Sequence, residues 1–280
     1  MKFRRILQRL SNRDGYAYIF GRFLLARRSF SALQQMKQRH GAQQILHNNS
    51  TVFSKVGVGE AVTSLQRDAI CFGFDIGQEA IDEIYRYSLN QPLTHGSITN
   101  SFMHSEVSGG RLAGGQAVAM GHVSNPEGCK AITKLLEDSV LQIVARRYLK
   151  YMPTKADVSL YWSFVGDMNV ETRRRFNQTV EYHFDVHDFN FCYAHFYITD
   201  CDARSGAHVM VKGSHLNKRP SWLFGSARKN DLEIAGYYDP NEILVIEGRA
   251  GTGFIEDTSC FHKALAPLDH DRLLLQIRLH

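Results

Sequence analysis

Glu181-Tyr182-His183-Phe184-Asp185-Val186-His187 is the stretch on which the reading of this chain turns. Its Tyr, Phe and Val content is that of a strand. Side chains at i and i+2 of a strand point to one face, so His183 and Asp185 can converge on a single point. The chain has 13 His, and Asp plus Glu make up 28 of its 280 residues, so chance supplies about one His-x-Asp/Glu pair. Two occur, His183/Asp185 and His104/Glu106. Context separates them. His104 lies beside a Gly-rich segment, whereas His183 sits among strand-like runs and is followed by His262 and, ten residues later, by Arg272.

An imidazole and a carboxylate suit Fe(II), and a distant second His completes a two-His, one-carboxylate set that leaves three metal positions open. His183, Asp185 and His262 are therefore the candidate ligands and catalytic centre. Three open positions accept a bidentate 2-oxo acid and O2. Such a co-substrate carries a distal carboxylate, which the planar fork of an Arg holds through two parallel hydrogen bonds. Arg272 opens the run Arg272–Leu279, in which Arg272, Leu274, Gln276 and Arg278 share a face, so Arg278 competes for the anchoring role. His187 stands four residues from His183, the spacing of zinc-protease helices. Those helices need Glu directly after the first His, and Phe184 holds that place. His187, His195 and His215 are read as packing or hydrogen-bonding residues.

Outward from this stretch the periodicity is two. Val158, Leu160, Trp162 and Phe164 fall on one face and Ser159, Tyr161 and Ser163 on the other. Further strand-like runs at 190–199, 207–212, 243–247, 253–255 and 272–279 are separated by turn-rich segments. Many short strands at this spacing predict a sandwich or barrel, and a jelly roll brings distant strands around one cavity. Before Pro153 the spacing is helical, over 62–88 and 129–151, with a short strand near 69–74. The expected class is α+β, a helical region 1–155 packed on a β core 156–280, as one structural unit. The Gly-rich segment 105–122 lacks Gly-Lys-Ser/Thr, so it is no phosphate-cradling loop and reads as a mobile loop or lid.

The net charge of +5 is unevenly placed. Residues 1–40 carry ten Lys/Arg against Asp14 alone, interleaved with Phe, Ile and Leu, and read as one or two helices broken near Gly15 and Gly21. Such an arm fits either an anionic membrane surface or its own domain. Arg22, Arg27 and Arg28 interrupt the apolar run 16–30, so no spanning helix is predicted. The start lacks the apolar core of a signal peptide. Five widely spaced Cys without Cys-x-x-Cys predict reduced thiols in a cytoplasmic protein. The basic segment holds no nucleic-acid motif.

These residues resemble the phytanoyl-CoA dioxygenase family of Fe(II)- and 2-oxoglutarate-dependent oxygenases. The likeness runs through Tyr182–Phe189, Phe196–Asp200, the Val211-Lys212-Gly213-Ser214-His215 turn, His262-Lys263 and Arg272, and covers about 157–280. It implies a double-stranded β-helix of cupin-like form, with His183, Asp185 and His262 on iron and Arg272 on 2-oxoglutarate. Two features depart from it or limit it. Lys263-Ala264-Leu265 lacks the small hydroxyl residue that some members place beside the co-substrate, and the motif does not specify a substrate. Because Asp185 is present, the implied reaction is hydroxylation of an unactivated C–H bond of a small or lipid-linked molecule. The competing reading is a jelly-roll glycan binder or sugar isomerase without redox chemistry.

Overall fold

The computed structural model describes residues 13–39, 52–53, 55–186 and 188–280. His187 and much of the basic arm thus lie outside the described residues. In chain order the helical region holds α1 (Arg13–Phe20), α2 (Leu24–Arg39), α3 (Val58–Asp68), β1 (Ile70–Phe72), α4 (Gln78–Leu89), β2 (Leu93–Thr94), β3 (Met120–Val123), α5 (Lys130–Leu136) and α6 (Ser139–Leu149). The second half holds β4 (Ala156–Ser163), α7 (Val170–Arg175), β5 (Tyr182–His183), β6 (Cys192–Tyr197), β7 (His208–Val211) and β8 (Arg228–Lys229). It ends with α8 (Asp231–Ala235), β9 (Ile243–Ile246), β10 (Gly253–Glu256), β11 (His262–Ala264) and β12 (Arg272–Leu279).

The strands form two antiparallel sheets. One has seven strands in the order β1-β10-β6-β12-β4-β3-β2, and the other five in the order β8-β5-β11-β7-β9. β12 fixes their arrangement, because its alternate residues serve two layers. Leu273, Leu275, Ile277 and Leu279 join Leu160, Trp162 and Phe196 against helical residues such as Leu65, Ile84, Leu141 and Val144. Leu274 instead meets Met210 and Ile246 of the five-stranded sheet. The helices therefore cover one face of the larger sheet, and the smaller sheet covers the other. Each Leu or Ile fully buried on the helix side contributes roughly 1.5–3 kcal/mol.

The helices start and stop where the chain chemistry dictates. Asp138 caps α6, its carboxylate accepting from the Val140 and Leu141 N–H groups at 2.9 and 3.3 Å. Lys150 ends the same helix in the left-handed region, φ 69°, three residues before Pro153. Gly21 separates α1 from α2, while Gly15 lies within α1 without breaking it. The Gly-rich segment read as a mobile loop or lid is tied into the fold at its end, where Val118 and Ala119 are fully buried and Met120–Val123 is a strand of the larger sheet. Gly110 has φ +70°, and a Cβ there would lie 2.7 Å from the Val165 carbonyl, so glycine is required for this segment to pack. No helix among the described residues is long and apolar enough to cross a membrane.

Candidate active site

The inner face of the larger sheet and the smaller sheet enclose a cavity of about 570 Å³. His183, Asp185, His262 and Arg272 all line it. His183 and His262 are direct partners across the β5–β11 ladder, which sets their rings 4.2 Å apart. Asp185 leaves the strand two residues after His183, its N–H held by the Thr258 carbonyl at 2.8 Å. Its carboxylate oxygens lie 3.8 Å from His183 Nε2 and 3.9 Å from His262 Nε2. One ligand atom from each of the three falls within 4.8 Å of the others, a spacing that one metal ion can span.

Backbone carbonyls set the tautomers of both imidazoles. His183 Nδ1 faces the Glu181 carbonyl and His262 Nδ1 the Cys260 carbonyl, each at 3.1 Å. A carbonyl oxygen only accepts, so each Nδ1 carries the proton and each Nε2 presents a lone pair toward Asp185. Burial, reinforced by the neighbouring His262, pushes His183 down to about 3, against the opposing effect of Asp185, and keeps the ring neutral at physiological pH. Neutral imidazole is the form that binds a metal.

The turns behind the site are built from short polar residues. Gly213 adopts φ +69°, allowing Ser214 to turn inward, where its hydroxyl donates to the Val211 carbonyl and accepts the Phe261 N–H, both at 2.8 Å. This holds the residue immediately before His262. The Asp257 carboxylate accepts the Ser259 N–H at 2.9 Å and the Asp257 carbonyl accepts the Cys260 N–H at 2.9 Å, closing the turn between β10 and β11.

Arg272 is 2% exposed at the floor of the cavity. Its guanidinium donates to the Gly206 carbonyl and, at 3.2 Å, to Ser163 Oγ, while Nε has no partner. Both acceptors are neutral, and no acidic side chain among the described residues pairs with Arg272. Arg278 is not brought to the cavity. Its side chain lies on Asp157, with Nε 2.9 Å from the carboxylate. His104 is also elsewhere, 4.1 Å from the Trp162 ring and 3.5 Å from the Asp271 carboxylate.

Beside the three-residue cluster lies a buried group absent from the sequence reading. Glu256 of β10 is 2.7 Å from His208 Nε2 and 3.7 Å from His195 Nε2, and accepts from the Cys260 thiol at 3.0 Å. Burial alone would raise Glu256, but the histidines outweigh it and hold the carboxyl at about 2. His195 lines the cavity, as do Tyr193 and Gln276, and the Gln276 amide is 3.2 Å from His195 Nδ1. Alternation could have placed Tyr193, His195 and Gln276 on the inner face. Glu256 carried no signal, because its partners come from two other strands and from the turn that follows β10.

The fold resembles that of solved structures of low sequence identity. HygX from Streptomyces hygroscopicus, solved with nickel, 2-oxoglutarate and hygromycin B bound, has a TM-score of 0.52 at 13% identity, covering 79% of this chain and 86% of that one. EctD from S. alaskensis, in its apoform, has a TM-score of 0.51 at 11% identity over 85% and 82% of the two chains. The epimerase SnoN, in complex with Fe3+, alpha ketoglutarate and nogalamycin RO, has a TM-score of 0.50 at 15% identity over 79% and 83%. The likeness is one of fold. No protein-family model matches the sequence, and no curated protein matches it.

Proposed function

We propose that this protein is a non-haem Fe(II)- and 2-oxoglutarate-dependent oxygenase, in which His183, Asp185 and His262 hold the iron and Arg272 anchors 2-oxoglutarate. The observation that carries the reading is a buried guanidinium without a counter-charge in the same cavity as three convergent metal-ligating atoms. A buried cation is costly unless an anion meets it, and a ligand carboxylate fits that requirement. The fold likeness supports the same conclusion, since HygX was solved with nickel and 2-oxoglutarate and SnoN with Fe3+ and alpha ketoglutarate. On this reading the two sheets form a double-stranded β-helix, region 1–155 buttresses core 156–280 as one unit, and the phytanoyl-CoA dioxygenase-like motif is its catalytic signature.

Bound iron with 2-oxoglutarate and O2 supplies oxidation of an unactivated C–H bond. The chain's own contribution is geometric. His183 and His262, fixed by their Nδ1–H donations, and Asp185, fixed through Thr258, leave one side of the metal position open toward the cavity. Arg272 fixes which way the co-substrate points, and Ser163 and Gly206 fix Arg272. The apolar residues of β7, β9, β10 and β12 close the site from behind and limit water entry.

Anaerobic addition of Fe(II) and 2-oxoglutarate should produce the weak visible charge-transfer band of a bidentate chelate. A glycan binder or isomerase would give none, and a missing band would defeat the oxygenase reading. His183→Ala and Asp185→Ala should abolish the band. Contact of residues 1–40 with an anionic membrane belongs to the same proposal, and co-sedimentation of the full chain with anionic and neutral vesicles tests it.

A further inference from the structure

The walls of the cavity say what kind of molecule enters beside the iron. This inference rests on the oxygenase reading above. Of the residues lining the cavity, Met120 and Ala264 alone lack a polar side-chain group. An acyl chain gains its roughly 0.8 kcal/mol per methylene against an apolar wall, and here it would also strip water from amides, hydroxyls and imidazoles. Among the buried amides and hydroxyls of the described lining residues, two have no partner. Gln178 is 3% exposed, with its carbonyl on Arg173 Nη1 at 2.6 Å and its Nε2 unpaired. Thr258 is 2% exposed, with its hydroxyl unpaired. An amide donor and a hydroxyl left without partners among the lining residues match a ligand rich in hydroxyl groups.

Charge narrows the class further. Asp185, an iron dication, a 2-oxoglutarate dianion and Arg272 balance to zero. Lys263 also lines the cavity, and its ammonium lies 2.7 Å from Asp231. Arg228, on β8 beside β5, is the remaining cation. It is exposed at the cavity wall, it is the direct cross-strand partner of His183, and no acidic side chain among the described residues pairs with it. We infer that the substrate is a polyhydroxylated anion of the sugar-acid or sugar-phosphate class, and that Arg228 is the residue that recognises its negative group.

The test uses the full chain, loaded anaerobically with Fe(II) and 2-oxoglutarate, and four probes: glucose 6-phosphate, glucuronate, glucose and octanoate. Paramagnetic broadening of each probe's proton signals reports binding near the metal. At millimolar concentration, glucose 6-phosphate or glucuronate should bind more tightly than glucose, which lacks the charge, and than octanoate, which has a carboxylate but no hydroxyl groups. Which of the two anions binds better distinguishes a phosphate from a carboxylate. Arg228→Glu should weaken the anions about tenfold or more, and Arg228→Lys should retain most of their affinity. Octanoate binding tighter than both anions, anions that do not bind, or anion affinity unchanged in Arg228→Glu would each overturn the inference. The charge-transfer band is read in the same samples, so failure of the oxygenase reading registers separately, as a band that never forms.

Discussion

Arg27 on α2 and Arg272 on β12 are both nearly withdrawn from solvent, at 6% and 2% exposure, yet they face opposite surroundings. Arg27 donates to Asp257 at 2.7 Å, to Asn190 Oδ1 at 2.6 Å and to Ser259 Oγ, and Tyr148 donates to the same Asp257 oxygen at 2.5 Å. Burial alone would raise the Asp257 carboxyl, but Arg27 and His215 outweigh it and hold the group well below the usual carboxylate range. Arg272 donates to a carbonyl and a hydroxyl, both neutral. Arg173 shows that lack of an acid is not decisive by itself: it is 3% exposed, and each of its three nitrogens reaches a neutral oxygen, of Met168, Gln178 or Gly166. Arg272 differs from Arg27 in meeting no carboxylate among the described residues, from Arg173 in leaving Nε unmatched, and from both in facing the cavity that holds the three ligand atoms. A buried charge fully met by the chain belongs to the fold, and one left unmet beside a cavity belongs to a ligand.

The largest effect expected from this contrast is in stability. Arg27→Met removes the cation from a buried pair and leaves Asp257 uncompensated, so urea unfolding should show a loss of about 3–5 kcal/mol. Arg27→Met combined with Asp257→Leu should recover much of it, because the penalty is that of the stranded carboxylate. If Arg272→Met destabilises the protein as much as Arg27→Met, the distinction between fold charge and ligand charge fails.

Next in size is the effect of Arg272→Met on 2-oxoglutarate affinity. Loss of a charge-assisted pair should weaken binding by about 1.5–3 kcal/mol, read from titration of the charge-transfer band. Stability should hold or rise, since an unmatched buried charge has been replaced by an apolar chain of similar length. Unaltered affinity would place the anchor elsewhere.

A further test separates the two regions by pH. Burial, against the opposing charge of Glu256, pushes His195 down from its ordinary 6.5 to about 3. Between those values the unfolded chain binds a proton that the folded chain refuses, so stability present above pH 6.5 falls as pH drops toward 3. Glu256, depressed to about 2, adds a further loss as pH falls below its ordinary 4.5. Without added metal, His195→Gln should flatten the stability profile between pH 6.5 and 3. A profile identical to that of the parent would mean that His195 does not titrate in this way.

Much of this was legible because one physical rule governs it. Alternation along Arg272–Leu279 and Val158–Phe164 requires two covered faces, and the helices and the smaller sheet supply them. The His183–Asp185 pair was legible for the same reason, being local. Its junction with His262 is a cross-strand pairing between distant segments, which periodicity cannot register and which the ligand set of an iron site and the family resemblance anticipated. β2 has two residues and β3 four, too few for a period-two signal, so their place in the larger sheet was hidden. Glu256 was hidden by context, since a Glu ending the run Gly253–Glu256 looks like a solvent-facing residue until His195, His208 and Cys260 close around it.

The smallest effect concerns the other arginine of β12. Arg278 lies on the same alternating face as Arg272, and by sequence it competed for the co-substrate. Six residues of strand separate them, roughly 20 Å at 3.3 Å per residue, so the two cannot serve one carboxylate. Arg278 pairs instead with Asp157, whose side chain is 54% exposed and also approaches His280 Nε2 at 3.0 Å. A pair this open to water is worth about 1 kcal/mol or less. Arg278→Ala should therefore cost little in unfolding and leave 2-oxoglutarate titration unchanged, in contrast to Arg272→Met measured alongside it. Should the two variants exchange phenotypes, the co-substrate is anchored at the opposite end of β12, with its carboxylate near Tyr193, which pairs with Arg278 across the β6–β12 ladder. In that case Arg272, like Arg173, would be a buried structural cation satisfied by neutral oxygens.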